Sequence, residues 1–251
     1  MIDLTGTCTV VTGGNGGVGL GLAHGIARGG GDVAVWARNP EKSQAAVAEL
    51  SSHGIVARAF RCDIADRPSV ERALEETIDG FGKVDALFAN AAIADQRPFL
   101  DTGIDDWQRV LAVNLDGTFH TTQAVARHLV DRGEGGSIVI VSSMVARYGA
   151  ATQAAYAASK AGLVSLGKTL AVELAKYRIR SNVLLPGWVE TPMNADLRQD
   201  ERFLQATTNR TPVRRWGQPQ DLHEIAAFLA SRTPLFHTGT ETVIDGGYTI
   251  Y

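Results

Sequence analysis

An alternation constrains this chain more than any single residue does. Short runs rich in β-branched and aliphatic residues, at 7–12, 32–37, 55–62, 84–89, 137–142, 180–185 and 241–244, are separated by longer stretches with helical periodicity. Strand, helix, strand is the repeating unit of a parallel sheet, and seven such runs predict one sheet covered by helices on both faces. The fold class is therefore α/β and doubly wound. A chain of 251 residues fits one such domain, spanning 1–251, better than two small ones. Helix starts carry their own signals: Asn39 before Pro40, and Asp66 before Arg67, Pro68 and Ser69. The least regular stretch, 193–217, is charged and broken by proline, and its place after a strand's C-terminal end marks it as a lid.

Composition removes several classes of function. The net charge is −3, with lysine and arginine scattered rather than blocked, which gives no electrostatic footprint for nucleic acid or an anionic membrane. No apolar run approaches the roughly 20 residues of a membrane span. The first residues, Met1 to Gly6, lack the regions of a signal peptide, so the expected location is the cytoplasm. Cys8 and Cys62 each lie in or beside an apolar run and read as buried thiols. The six histidines are dispersed and no Cys/His spacing points to zinc, so no metal is expected.

The first strand runs into Thr12-Gly13-Gly14-Asn15-Gly16-Gly17-Val18-Gly19, which opens the first helix. Bare backbone there lets a pyrophosphate approach the N–H groups of the helix N-terminus, so this is a dinucleotide site on a Rossmann-type fold. Its letters fit Gly-x-Gly-x-x-Gly from Gly14 and also Thr-Gly-x-x-x-Gly-x-Gly from Thr12, and spacing alone leaves the register open. The acid that usually holds a ribose 2′-hydroxyl at the end of the second strand is missing from Val35-Trp36-Ala37-Arg38-Asn39. Arg38 instead suits a 2′-phosphate, which favours NADP over NAD as the runner-up. Gly16 contributes no second cation. Asp63, before Ile64 at the end of the third strand, is placed to accept from an adenine amino group.

Tyr156 and Lys160 sit four apart in a helical stretch, on one face and about 6 Å apart along the axis. A nearby ammonium favours the phenolate, which makes Tyr156 a candidate general acid/base. With the glycine loop and the strand-end pair Ser142-Ser143, this set resembles the short-chain dehydrogenase/reductase family over essentially the whole chain. The resemblance implies Gly13, Gly17 and Gly19 as the cofactor glycines, with Asn15 and Val18 between them, and Asp63 and Ile64 at the adenine. The family's Asn-Asn-Ala-Gly stands here as Ala89-Asn90-Ala91-Ala92, so Asn90 and Ala91 carry over and the outer positions depart. By the same resemblance Asn114 is the catalytic asparagine, holding a water that links Lys160 to solvent. The family's serine-to-tyrosine spacing selects Ser143 over Ser142. Pro186, Gly187, Val189 and Thr191 match the segment that holds the nicotinamide, and Asp245-Gly246-Gly247 matches the final strand.

The chemistry this implies is reversible hydride transfer between nicotinamide and a ketone or secondary alcohol. Tyr156 moves the proton, Lys160 lowers its pKa and holds the nicotinamide ribose, and Ser143 donates to the substrate oxygen. Pocket candidates are Ile93, Ala94, Met144, Arg147, Tyr148, Gln153 and Trp188, with Ser143, Gln153, Tyr156 and Trp188 as substrate-binding residues. Arg147 and Gln153 suit a hydroxylated or carboxylated substrate, Met144 and Trp188 an apolar one; sugar-acid dehydrogenases and 3-oxoacyl reductases are the branches most alike in wording. A non-catalytic nucleotide sensor on the same fold is the alternative, and a methyltransferase with a similar glycine loop is a third class. The apolar residues of 156–176 cover more than one helix face, which suits either burial within one subunit or association; the resemblance implies a homotetramer in which 117–130 and 156–176 pair with their counterparts, with 247–251 reaching a neighbouring subunit.

Overall fold

The computed structural model describes residues 2–233 and 236–250. Seven strands form one parallel sheet: β1 (Cys8–Thr12), β2 (Asp32–Ala37), β3 (Ala57–Arg61), β4 (Ala86–Ala89), β5 (Gly136–Val141), β6 (Ile179–Pro186) and β7 (Glu241–Ile244). Their spatial order is β3-β2-β1-β4-β5-β6-β7. The chain winds outward from β1 to β3, then returns to lay β4 on the other side of β1. That reversal opens a crevice between the C-terminal ends of β1 and β4, where open α/β sheets take their ligands.

The period of two along each strand sorts side chains into two cores. Val11, Val33, Val35 and Val139 meet α1 (Gly17–Arg28), α2 (Pro40–Ser51) and α8 (His223–Ala230) on one face. Val10, Ala34, Trp36, Ile138 and Ile140 meet α3 (Arg67–Phe81), α5 (Gly117–Arg132) and α6 (Ala154–Leu174) on the other. Both cysteines are free and buried, and burial pushes their thiols up to about 12. Asn39 caps α2 by accepting from the Lys42 N–H at 2.8 Å. Asp66 precedes α3 but makes no side-chain cap; Ser69 Oγ instead accepts from the Asp63 N–H at 3.1 Å.

Two elements differ from the sequence expectation. The stretch 193–217 is not irregular throughout, since it holds α7 (Glu201–Arg210), capped by Asp200 accepting from the Arg202 and Phe203 N–H groups. Between α4 (Ile104–Leu111) and α5 the backbone widens into a π-helical turn at Ala112–Asp116. No described helix is long and apolar enough to cross a membrane.

Candidate active site

Thr12 joins the two strand ends at the crevice. Its Oγ1 accepts from the Asn90 and Ala91 N–H groups, both at 2.9 Å, and Asn90 Nδ2 donates to Thr12 O at 2.9 Å. The chain then turns into α1 with Gly17 at φ +53°, a conformation costly to any residue with a side chain. A Cβ on Gly19 would lie 2.2 Å from Gly13 O and 2.5 Å from Asn90 Nδ2, so loop, helix and β4 close only on bare backbone there. No side chain caps α1, and Gly16, Gly17 and Val18 line the cleft, leaving the helix's first N–H groups for an anion. Asn15 also lines the cleft, with Nδ2 donating to Ser43 Oγ at 3.0 Å. The physical need for glycine thus falls on the register read from Thr12.

Arg38 leaves β2 with its side chain 66 % exposed, its Nη1 3.9 Å from Asp63 Oδ2. Asp63, Ile64 and Arg38 line the same end of the cleft. Asp63 Oδ1 is engaged by the Ala65 N–H at 3.1 Å. Lys42 lines this end as well and was missed in the sequence reading, although it lies one helical turn beyond Arg38 across the Pro40 helix start. A side chain at Gly16 would meet nothing within 4 Å, so packing does not require glycine there.

At the other end β5 delivers two serines with different duties. Ser142 is buried and donates to the Lys160 carbonyl at 2.8 Å, fastening α6 to the strand. Ser143 lines the cleft beside Tyr156, and its hydroxyl lowers the phenol's pKa. Lys160 is 2 % exposed; its Nζ donates to Val141 O at 2.9 Å and lies 5.5 Å from the centre of the Tyr156 ring. Burial brings this ammonium down to about 8.

The expected effect of Lys160 on the phenol is corrected here. Tyr156 is raised above its ordinary value because burial outweighs the Ser143 hydrogen bond, and Lys160 sits over the ring with Nζ turned to a carbonyl. Asn114, fully buried in the π-turn, is committed on both sides of its amide. Oδ1 accepts from the Ile93 N–H at 2.8 Å, while Nδ2 donates to Ile93 O at 2.9 Å and Ser159 Oγ at 3.1 Å. Its side chain therefore ties the loop after β4 to α6.

Beyond β6, Pro186, Gly187, Val189 and Thr191 all line the cleft. A Cβ on Gly17 would touch Thr191 Cγ2 at 3.1 Å, which sets this segment against the glycine loop. Asn194 braces it, with Nδ2 donating to Val189 O at 2.7 Å and Oδ1 accepting from the Thr191 N–H at 3.0 Å. Trp188 lines the cleft and stacks on Trp216 at 5.1 Å, with Phe203 of α7 edge-on at 5.2 Å. Gln153, immediately before α6, also lines it. Arg147 and Tyr148 do not. Arg147 turns away to Glu241 on β7, at 3.1 and 2.9 Å, and Tyr148 packs near Tyr248 and Arg210. Gln96, Met193 and Leu197 also line the cleft; Gln96 lies in the loop after β4, and Met193 and Leu197 lie in short 3₁₀ turns of the stretch marked as a lid, too brief for periodicity to single them out.

One cleft of about 700 Å³ thus runs from a basic, anion-ready end to half-buried Ser143 and Tyr156 with the buried Lys160 beside them. Fold and site define a dinucleotide-dependent enzyme class. A family model described as enoyl-(acyl carrier protein) reductase matches residues 13–249. A 3-oxoacyl-[acyl-carrier-protein] reductase of Chlamydia pneumoniae is 36 % identical over 248 residues, covering 99 % of both chains. An L-rhamnose 1-dehydrogenase (NAD(P)(+)) of Sphingomonas sp. is 38 % identical over 245 residues, 97 % of this chain and 96 % of that one. The solved structure of a gluconate 5-dehydrogenase from Burkholderia cenocepacia, in complex with NADP and tartrate, superposes with a TM-score of 0.94 at 36 % identity, covering 100 % of this chain and 98 % of that one. The chain belongs to the short-chain dehydrogenase/reductase family.

Proposed function

We propose that this protein is an NADP-linked oxidoreductase acting on a ketone or secondary alcohol, with Tyr156 as general acid/base. The observation that carries the reading is the placement of Ser143, Tyr156 and Lys160 on one wall of the cleft whose other end is the uncapped N-terminus of α1 and Arg38. The residues present fit such a cofactor. Gly19 admits no side chain, the first N–H groups of α1 suit a pyrophosphate, and Arg38 suits a 2′-phosphate. Asp63 and Ile64 would flank the adenine, while Asn90, Ala91, Lys160, Val189 and Thr191 would hold the nicotinamide riboside. When bound, the cofactor supplies or takes the hydride.

The protein's own contribution is a proton and a fixed orientation. Burial keeps the Tyr156 phenol protonated through the neutral range, the form that gives a proton to a carbonyl oxygen as negative charge develops on it. The Ser143 hydroxyl donates to the same oxygen, and the Lys160 ammonium beneath the ring offsets charge left on the phenolate. Asn114 fixes the Ile93 loop against α6 and so sets the distance between the walls. Similarity to NAD(P)-dependent relatives and to an NADP-bound structure supports the cofactor assignment. Small and apolar residues left exposed on α5 and α6 support a homotetramer, and the location expected from the sequence is the cytoplasm.

The test is a panel of ketones and alcohols with NADPH and NADP, followed at the nicotinamide absorbance. Turnover is expected, with Tyr156→Phe reduced by roughly 10²-fold or more while still binding cofactor. Tight cofactor binding with no turnover of any carbonyl or alcohol would leave the nucleotide-sensor reading in its place.

A further inference from the structure

The two halves of the cleft differ in charge. Under β2 and β3 the lining carries Arg38, Lys42 and Asp63. Beyond β4 the wall is made of Ile93, Ala94, Met144, Val145, Trp188 and Met193, with the amides of Gln96 and Gln153 among them. Among the described residues lining that half, Lys160 alone is charged, and it is buried behind Tyr156 with its Nζ on Val141 O.

Arginines on the segments flanking this half pair with carboxylates, although the buried Arg198 Nε has no partner among the described residues. Arg147 makes two bonds to Glu241, which Lys168 also holds at 2.6 Å. Arg97 pairs with Asp106 at 3.0 Å, Arg109 with Asp95 at 2.9 Å, and Arg198 with Glu190 at 3.5 Å. Asn194 spends its amide on Val189 and Thr191. The side-chain amides of Gln96 and Gln153, by contrast, have no hydrogen-bond partner among the described residues, so they remain for a ligand.

From this distribution we infer that the substrate is uncharged: a ketone or secondary alcohol bearing a further neutral oxygen, such as a hydroxyl, ether or ester, that the Gln96 and Gln153 amides receive. The inference rests on the oxidoreductase reading and narrows it. A carboxylate or phosphate set against this largely apolar wall would give up part of its hydration without meeting a cation other than the catalytic lysine, and an unpaired anion loses more by this than a hydrogen-bonded neutral group does. On this inference the substrate is a neutral ketone or alcohol rather than a sugar acid.

Matched acid and methyl ester pairs test it: a linear 3-oxo acid, a cyclic keto acid and a keto sugar acid, each reduced with NADPH at one pH. The neutral member is expected to exceed its acid by at least roughly tenfold in kcat/KM. Gln96→Arg is expected to raise the acids selectively, whereas Arg147→Gln, being tied to Glu241, leaves the acid-to-ester ratio unchanged. Acids reduced as well as their esters, or a selective loss of acid reduction in Arg147→Gln, would overturn the inference and leave the oxidoreductase reading standing. No reduction of any member, with cofactor bound, would overturn both.

Discussion

Arg38 holds its charge where one ion pair, at 3.9 Å and largely in solvent, competes weakly for it. A charge-assisted contact to a phosphate is worth roughly 1.5–3 kcal/mol and has no counterpart in NAD. Arg38→Ala is therefore expected to weaken NADP by about 10- to 100-fold and NAD little, as read by cofactor fluorescence titration. Lys160 is the second residue whose surroundings set a measurable outcome. Lys160→Met is expected to nearly abolish turnover, because the phenolate then lies beside no cation. Its folded-state pKa, about 8, lies below the ordinary 10.5, so the unfolded chain binds more protons between those values. The stability Lys160 contributes is fully present above 10.5 and is lost as pH falls toward 8. Denaturant midpoints of wild type relative to Lys160→Met should rise across that window and run parallel below it. The spacing of Tyr156 and Lys160 was legible in the sequence, but the sign of the phenol's shift was not, because burial decided it and a four-residue spacing carries no information about burial.

Among the elements, the strands and the glycine loop were legible because each rests on a local rule: period-two burial, or a backbone that excludes Cβ. The π-turn at Ala112–Asp116 and helix α7 were not. The first is held by Asn114 closing on Ile93, a contact between distant segments, and the second packs Phe203 edge-on against Trp188 and Trp216 rather than displaying an apolar stripe of its own. A histidine cluster shows the same dependence on tertiary neighbours. His24 Nδ1 lies 3.0 Å from His53 Nε2, joining α1 to the end of α2, and Arg28 meets His223 at 3.1 Å, joining α1 to α8. Glu49 and Glu224 are the carboxylates facing it. Burial first, then neighbouring cations and histidines, holds His53 and His223 below 6.5. The folded state resists protonation that the unfolded chain accepts, so the melting temperature is expected to fall as pH drops below about 6.5. His223→Gln should flatten that acid limb, with the melting temperature at pH 8 changing much less.

At the scale of the whole molecule, the two helices beside the active site leave apolar and small residues uncovered. α6 buries Ala155, Ser159, Lys160, Leu163, Gly167 and Ala171 against its own subunit. Its opposite side presents Ala158, Ala161 and Ser165 to solvent, with Val172 at 82 % exposure, and Phe119 on α5 is 44 % exposed. Small side chains let helices approach closely, and an exposed valine and phenylalanine beside them are the kind of patch that a second copy covers. In the C-terminal segment Tyr248 is buried near Tyr148 and Arg210 of its own subunit, Ile250 is exposed, and Tyr251 lies outside the described residues. Since α6 carries both Tyr156 and Lys160, pairing of α5 and α6 with their counterparts would brace the catalytic wall from behind. Light scattering of the wild-type chain at micromolar concentration is expected to give four times the monomer mass. Val172→Glu with Phe119→Glu places carboxylates in that seam and should halve the mass or reduce it further, with turnover per subunit falling as the assembly dissociates on dilution. A wild-type monomer with full activity would rule the assembly out.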